Sequence, residues 1–197
     1  MTWARCLLGA LTLVGLVPVA ALPQDRQGRD TPGEWVVTHY KPFGLWDSIC
    51  DERTTGDLLE ERCYLRYVEV FSPRPNFAAQ FIFITPAGSS EIVEFGLERG
   101  TRFSDGGFRI EADDRTVWRN DRRSCLRGRD CTFEGPEAAA LLGAMAGATR
   151  FIFDFTDRHG TPQVLNWDLT QFGAALDDYR AAADARGLTS AATPPDD

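Results

Sequence analysis

The sequence has few lysines, and its positive charges are outnumbered by its negative ones. Its 197 residues carry a formal net charge of −8, the isoelectric point is about 4.8, and Lys41 is the only lysine. A protein that binds DNA or RNA usually needs a basic face that displaces counterions from the phosphates. The acidic balance therefore argues against nucleic acid as a main partner.

Long apolar runs are absent beyond the N-terminus. Residues 1–21 have the pattern of a secretory signal peptide, because Arg5 supplies positive charge, residues 6–17 are apolar, Pro18 breaks the run and residues 19–21 suit cleavage. An uncleaved anchor helix is the alternative, but a span needs about 20 apolar residues. We therefore expect an exported chain with no transmembrane span after signal cleavage.

The sequence has few cysteines, and their number and spacing limit whether they can form disulfides or bind a metal. Removal of the signal leaves Cys50, Cys63, Cys125 and Cys131. An even set in an exported protein is typical of disulfides, and three pairings are possible, of which Cys50 with Cys63 and Cys125 with Cys131 is the simplest. A zinc site needs tighter clusters such as C-x-x-C, and both histidines lie far from either pair in sequence. We expect no metal and no cofactor.

Strand patterns dominate from Trp35 onward. Segments rich in β-branched and aromatic residues recur about every dozen residues, with turn signals between them, which predicts about eight or nine short strands. Two stretches instead have helical periodicity, residues 138–146 and residues 171–186, the second with Thr170 as its cap. This combination predicts a mainly β fold, a β-sandwich with two short helices that cover an edge or an open end.

The composition also suggests the limits of the domain. Residues 22–32 are polar and contain proline and glycine, which favours a flexible N-terminal segment. Residues 187–197 are small, acidic and rich in proline, as in a disordered tail. The sandwich domain is accordingly expected over residues 33–186.

Both stretches between paired cysteines are predicted to be loops. Residues 51–62 are charged and polar, and a Cys50–Cys63 bridge would pin them. Residues 125–131 have Gly128 in the middle and apolar residues outside, which predicts a β-hairpin stapled across its turn.

Several of these motifs follow one another in a recognisable order. They are Trp46-x-x-x-Cys50, Cys63, the close pair Cys125 and Cys131, an Ala/Leu helix, an apolar strand, and Leu169-Thr170-Gln171-Phe172 before the last helix. This order, over about residues 46–183, resembles the invasion-associated locus B family of exported bacterial proteins. The resemblance implies an immunoglobulin-like β-sandwich with two local disulfides, located in the periplasm, at the outer membrane or outside the cell. The resemblance implies no catalytic residues for this chain.

Arginine is concentrated around the second cysteine pair. The residues are Arg115, Arg119, Arg122, Arg123, Arg127 and Arg129. Because guanidinium groups pair bidentately with phosphate and carboxylate, this patch could bind an anionic partner, such as an envelope protein with an acidic surface or an anionic glycolipid. The alternative, which is the commoner case, is a solvated hairpin whose arginines pair with the neighbouring acids Asp113, Asp114, Asp121 and Asp130.

Three further groups are weaker candidates. Asp154, Asp157 and His159 could form an acid–base group, but no serine stands in a G-x-S-x-G frame beside them. Glu111, Asp113 and Asp114 could hold calcium, but they lack an EF-type frame and suit an acidic turn. An aromatic set could line an apolar pocket, although such residues more often fill the core between two sheets. The set comprises Phe81, Phe83, Phe95, Phe151, Phe153, Phe155 and Trp167.

These observations together favour an exported interaction protein of the cell envelope that binds rather than catalyses. An envelope hydrolase with a site assembled from scattered residues, and a carrier of a small apolar ligand, are the alternatives. A polar cleft with converging carboxylates or His159 would favour the hydrolase, and an apolar cavity between the sheets would favour the carrier. An uninterrupted core with an exposed arginine face would favour the interaction protein.

Overall fold

Two antiparallel β-sheets pack face to face. The structure is a computed structural model that describes residues 33–72 and 76–189. The strands are β1 (Val36–Phe43), β2 (Trp46–Thr55), β3 (Leu58–Ser72), β4 (Ala78–Ala87), β5 (Ser90–Gly96), β6 (Arg102–Ala112), β7 (Arg115–Arg119), β8 (Thr132–Phe133), β9 (Arg150–Thr156) and β10 (Pro162–Asp168). The larger sheet has the order β1-β2-β3-β4-β5-β8, and the smaller has the order β10-β9-β6-β7.

Two helices, α1 (Gly135–Ala146) and α2 (Phe172–Asp184), complete the fold. Each buries one face with helical spacing, and α2 packs against the first three strands of the larger sheet. The predicted Thr170 cap is wrong: Gln171 occupies the cap position without a side-chain bond, and the Thr170 N–H instead donates to Asp168 at 2.8 Å. The predicted β-sandwich with two helices and two local disulfides is confirmed.

Aromatic rings fill the space between the sheets. Tyr67 meets Trp167 edge-on at 4.9 Å between ring centroids, and Phe153 lies 4.4 Å from the same tryptophan. The inward members of the predicted aromatic set are buried, and they pack on one another. Phe81 and Phe83 are instead half-buried, because on β4 they alternate with the inward Ile82 and Ile84. The set therefore serves the core and one outer sheet face.

The stretch predicted as a loop over residues 51–62 is a β-hairpin. Strands β2 and β3 run on either side of its turn, and Cys50 pairs directly with Cys63 across the ladder and is bonded to it. Four of the charged residues form opposite-charge pairs across the ladder: Arg62 Nε lies 2.6 Å from Asp51, and Arg53 Nη2 lies 2.6 Å from Glu60. The loop prediction is wrong because opposite charges on facing strands stabilise the hairpin.

The Cys125–Cys131 loop is not a hairpin, which corrects the sequence prediction. Strand β7, before it, pairs with β6 in the smaller sheet, whereas β8, after it, pairs with β5 in the larger sheet. The loop therefore crosses from one sheet to the other. Cys125 is bonded to Cys131, and a 3-10 turn over Cys125–Arg127 takes up the space between them.

Some predicted segments lie outside the described residues. These are the signal peptide at 1–21, the segment at 22–32 and residues 190–197 of the tail. Within residues 33–72 and 76–189, neither helix is long and apolar enough to cross a membrane.

Candidate functional site

The loop between β7 and β8 is held by its own backbone. At its start, the Asn120 N–H donates to the carbonyl oxygen of Phe108 at 2.9 Å. Ser124 O accepts the Arg129 N–H at 3.0 Å, and at the end of the loop Cys131 O accepts the Phe95 N–H at 3.0 Å. These bonds, together with the disulfide, place the arginines of the loop in a defined position.

A second turn, residues 97–101, faces this loop. Its Thr101 N–H donates to Glu98 O at 3.0 Å, and Gly100 has a positive φ of 98°. Gly128 touches this turn so closely that a Cβ atom would lie 2.6 Å from Glu98 O. The contact requires a glycine, since Gly128 also has a φ of 59°.

An open groove of about 1300 Å³ lies between the two segments. Both segments contribute arginines to its lining: Arg99 and Arg102 come from the turn and the start of β6, and Arg123, Arg127 and Arg129 come from the disulfide loop. We call these five residues and the space between them the arginine groove. Asp130 is the acidic residue of the described lining.

The five guanidinium groups of the arginine groove have no carboxylate within 4.0 Å in the described part of the chain. Most other described arginines lie within 4.0 Å of a carboxylate, including Arg53, Arg62, Arg66, Arg109, Arg150, Arg158, Arg180 and Arg186. Glu98, beside Arg99 in sequence, is 3.2 Å from Arg158 and outside the lining. Within the described residues, the positive charge of the groove is thus not offset by direct ion pairs.

The predicted arginine patch is divided by the structure. Arg123, Arg127 and Arg129 line the groove, whereas Arg115 and Arg119 lie on the exposed strand β7 outside the lining. Arg122 is used structurally, and it donates to the Thr132 carbonyl, lies 3.6 Å from Glu137 and stacks over Phe133 at 4.9 Å.

Two groove residues, Arg99 and Arg102, are missing from the sequence prediction. They lie far from the cysteine loop along the chain, and only the packing of the two segments brings them opposite it. The predicted pairing of the patch with neighbouring acids is not found in the described structure, where Asp114 instead lies 2.7 Å from Arg150.

In the predicted acid–base group, Asp157 stabilises a turn. Asp157 Oδ1 accepts the N–H groups of Thr161 and His159, each at 2.9 Å, and its Oδ2 accepts from Gln163. The Thr161 bond above all, with those from Gln163 and His159, holds the pKa of Asp157 below its usual range. Asp157 is therefore a turn-forming carboxylate.

The predicted calcium ligands also have other roles, in ion pairs and in a turn. Glu111 lies 2.7 Å from Arg109 and 3.1 Å from Arg150, and Asp113 and Asp114 form a left-handed turn. Among the described residues, no group of three or more acidic, histidine or cysteine side chains has a geometry that could hold a metal ion.

The structure also contains one charged cluster that the sequence analysis does not predict. Asp178 of α2 lies 2.9 Å from His39 Nε2 and 2.7 Å from Lys41 Nζ, and both partners are on β1. Burial would raise the pKa of Asp178, but the bonds from Lys41 and His39 outweigh burial and keep that pKa below its usual range. The Asp178 carboxylate, rather than the His39 imidazole, contacts both other groups of the cluster. It therefore joins α2 to β1, and we call these three residues the charged clamp.

The fold and the groove define the class of protein: a disulfide-braced, two-sheet β protein with an arginine-lined surface groove. No protein-family model matches the chain, and no curated protein matches it. Among solved structures, the chain is similar to the crystal structure of invasion associated protein B from Bartonella henselae, with a TM-score of 0.48 and 14% sequence identity. The match covers 75% of this chain and 99% of that chain. We carry over no functional residue from it.

Proposed function

We propose that this protein is an exported, envelope-associated binding protein of the invasion-associated locus B type, and that the arginine groove receives an anionic partner. The observation that carries the proposal is a groove lined by five arginines from two chain segments, none of which has a carboxylate within 4.0 Å among the described residues. They occur in a chain with a net charge of −8. Such an arrangement leaves positive charges near one another, and a bound anion would offset their repulsion.

The lining of the groove supports binding rather than catalysis. Acid–base or nucleophilic chemistry needs a histidine, cysteine, serine or paired carboxylates in reach of the substrate. In the described lining, Asp130 is a single carboxylate among arginines, and histidine, cysteine and serine are not among the lining residues. Guanidinium groups alone supply charge and geometry for recognition.

The two disulfides support the proposed compartment. The four cysteines of the described residues are buried and bonded, in pairs that brace separate parts of the fold. Structural disulfides of this kind persist in oxidising surroundings such as the periplasm or the outside of the cell. The proposed partner is accordingly an envelope component, either an anionic glycolipid or an acidic protein surface.

Retention on phosphocellulose at low salt tests the groove, because a protein of this net charge would otherwise be repelled by the resin. We expect the wild-type protein to be retained and to elute as salt screens the interaction. The R123S/R127S/R129S variant is expected in the flow-through.

The matched control is R115S/R119S, which removes two unpaired arginines outside the groove. Its retention should stay within about twofold of wild type in eluting salt, since distant exposed charges are largely screened. Flow-through of the wild-type protein, or equal loss in both variants, would contradict a binding role for the groove.

A further inference from the structure

The arginine groove also contains apolar side chains. Leu97, Phe103 and Leu126 belong to its lining, and each is half-buried. All three pack against the hydrophobic core on one side while part of each surface remains open to the groove. The groove therefore combines unpaired positive charge with accessible apolar surface that continues into the core.

We propose that the ligand of the groove is an anionic amphiphile, a molecule that carries two or more phosphate groups next to an apolar chain. This inference rests on the proposed function, because it assumes that the arginine groove is the binding site. Of the two partners named above, an anionic amphiphile corresponds to the glycolipid and not to the acidic protein surface.

The number of arginines indicates more than one anionic group. A guanidinium group binds a phosphate through two parallel N–H donors, so a single phosphate is satisfied by one or two arginines. Five unpaired arginines against one carboxylate, Asp130, leave excess positive charge after one phosphate has bound. The groove volume of about 1300 Å³ also far exceeds what one phosphate fills.

The apolar residues indicate the other half of the ligand. A wholly ionic ligand would leave Leu97, Phe103 and Leu126 facing trapped water. An alkyl or isoprenoid chain would cover them, and removal of apolar surface from water favours binding. Small-molecule sites typically combine such apolar walls with a few oriented polar groups.

The test compares farnesyl diphosphate with methyl diphosphate by calorimetric titration, the first below its critical micelle concentration. Both probes carry the same diphosphate, and they differ in the apolar chain. We expect farnesyl diphosphate to bind on the order of tenfold tighter or more, since the chain covers the surface of at least one large side chain.

Two variants separate the two halves of the site. Leu126→Ser should lower the affinity for farnesyl diphosphate more than the affinity for methyl diphosphate, so that the preference for the farnesyl probe becomes smaller. Val117→Ser removes a half-exposed apolar side chain outside the groove and should change neither affinity. Thermal unfolding of both variants identifies any loss of fold, and in that case Leu126→Asn replaces Leu126→Ser.

The outcomes distinguish the two proposals. Equal affinity for both probes would overturn the amphiphile and leave an anion-binding groove. Tighter binding of an oligoglutamate peptide than of farnesyl diphosphate would overturn it in favour of an acidic protein. If neither probe binds while phosphocellulose still retains the protein, the amphiphile is wrong. If neither probe binds and phosphocellulose does not retain the protein, the proposed function is wrong as well.

Discussion

At the scale of single residues, Gly128 makes the close contact between the two walls of the groove. It joins the disulfide loop to the turn at residues 97–101 with no room for a side chain, because a Cβ atom would lie 2.6 Å from Glu98 O and 3.2 Å from Thr101. Its φ of 59° is also a conformation that side-chain-bearing residues rarely adopt. Both effects act on the contact that sets the two walls of the groove side by side.

Gly128→Ala should therefore lower the free energy of unfolding by about 1–3 kcal/mol and weaken retention on phosphocellulose. Gly160→Ala isolates the backbone effect, because Gly160 has a φ of 83° and open space around it. Gly143→Ala, in α1 and with no neighbour within 4 Å, should be stabilising by about 0.5–1 kcal/mol. Urea unfolding measures all three, and a Gly128→Ala cost no larger than that of Gly160→Ala would show that the close contact is unimportant.

At the scale of elements, the two disulfides have different tasks. The Cys50–Cys63 bridge joins neighbouring strands that already share a ladder. The Cys125–Cys131 bridge closes a crossing loop that has one 3-10 turn and carries Arg123, Arg127 and Arg129 in or beside it. Only the second bridge therefore organises groove residues.

Removal of the two bridges should separate stability from binding. Each of the C50S/C63S and C125S/C131S variants is expected to lose about 2–4 kcal/mol of stability. Only C125S/C131S should also elute from phosphocellulose at clearly lower salt, because its arginines are no longer held in the groove. Equal elution of the two folded variants would mean that the groove does not depend on the bridge.

At the scale of the whole molecule, a charged clamp ties the last helix to the first strand. Asp178 on α2 holds His39 and Lys41 on β1, and its pKa in the folded protein lies below the ordinary value of 3.8. A carboxyl with a depressed pKa stabilises the folded state above its unfolded pKa, and this contribution is lost as pH falls through the folded pKa. The clamp should therefore protect the fold at neutral pH and fail in acid.

Urea midpoints between neutral pH and about pH 3 test the clamp. The wild-type midpoint should fall as the pH drops below the unfolded pKa of Asp178. Asp178→Asn should be less stable at neutral pH and lose stability less steeply in acid. Asp177→Asn, next to it and exposed, should follow the wild-type curve. Parallel acid profiles for wild type and Asp178→Asn would show that the clamp contributes little.

Much of the protein can be read from local pattern. Strand-forming segments, the two helical stretches and the local disulfides depend on residues close together in the chain, so the mainly β class and the bridges were predictable. The concentration of arginine near Cys125 and Cys131 was equally visible, and three of its members line the groove. Local chemistry of this kind needs no knowledge of what packs opposite.

Tertiary structure decided the rest, because strand pairing and packing join residues that are distant in sequence. The disulfide loop crosses between sheets since β8 finds its partner in β5 rather than in β7. Residues 51–62 extend as strands, and two pairs of opposite charges, Asp51 with Arg62 and Arg53 with Glu60, meet across the ladder. Arg99 and Arg102 join the groove only because Gly128 lets two distant segments touch, and no local pattern contains that contact.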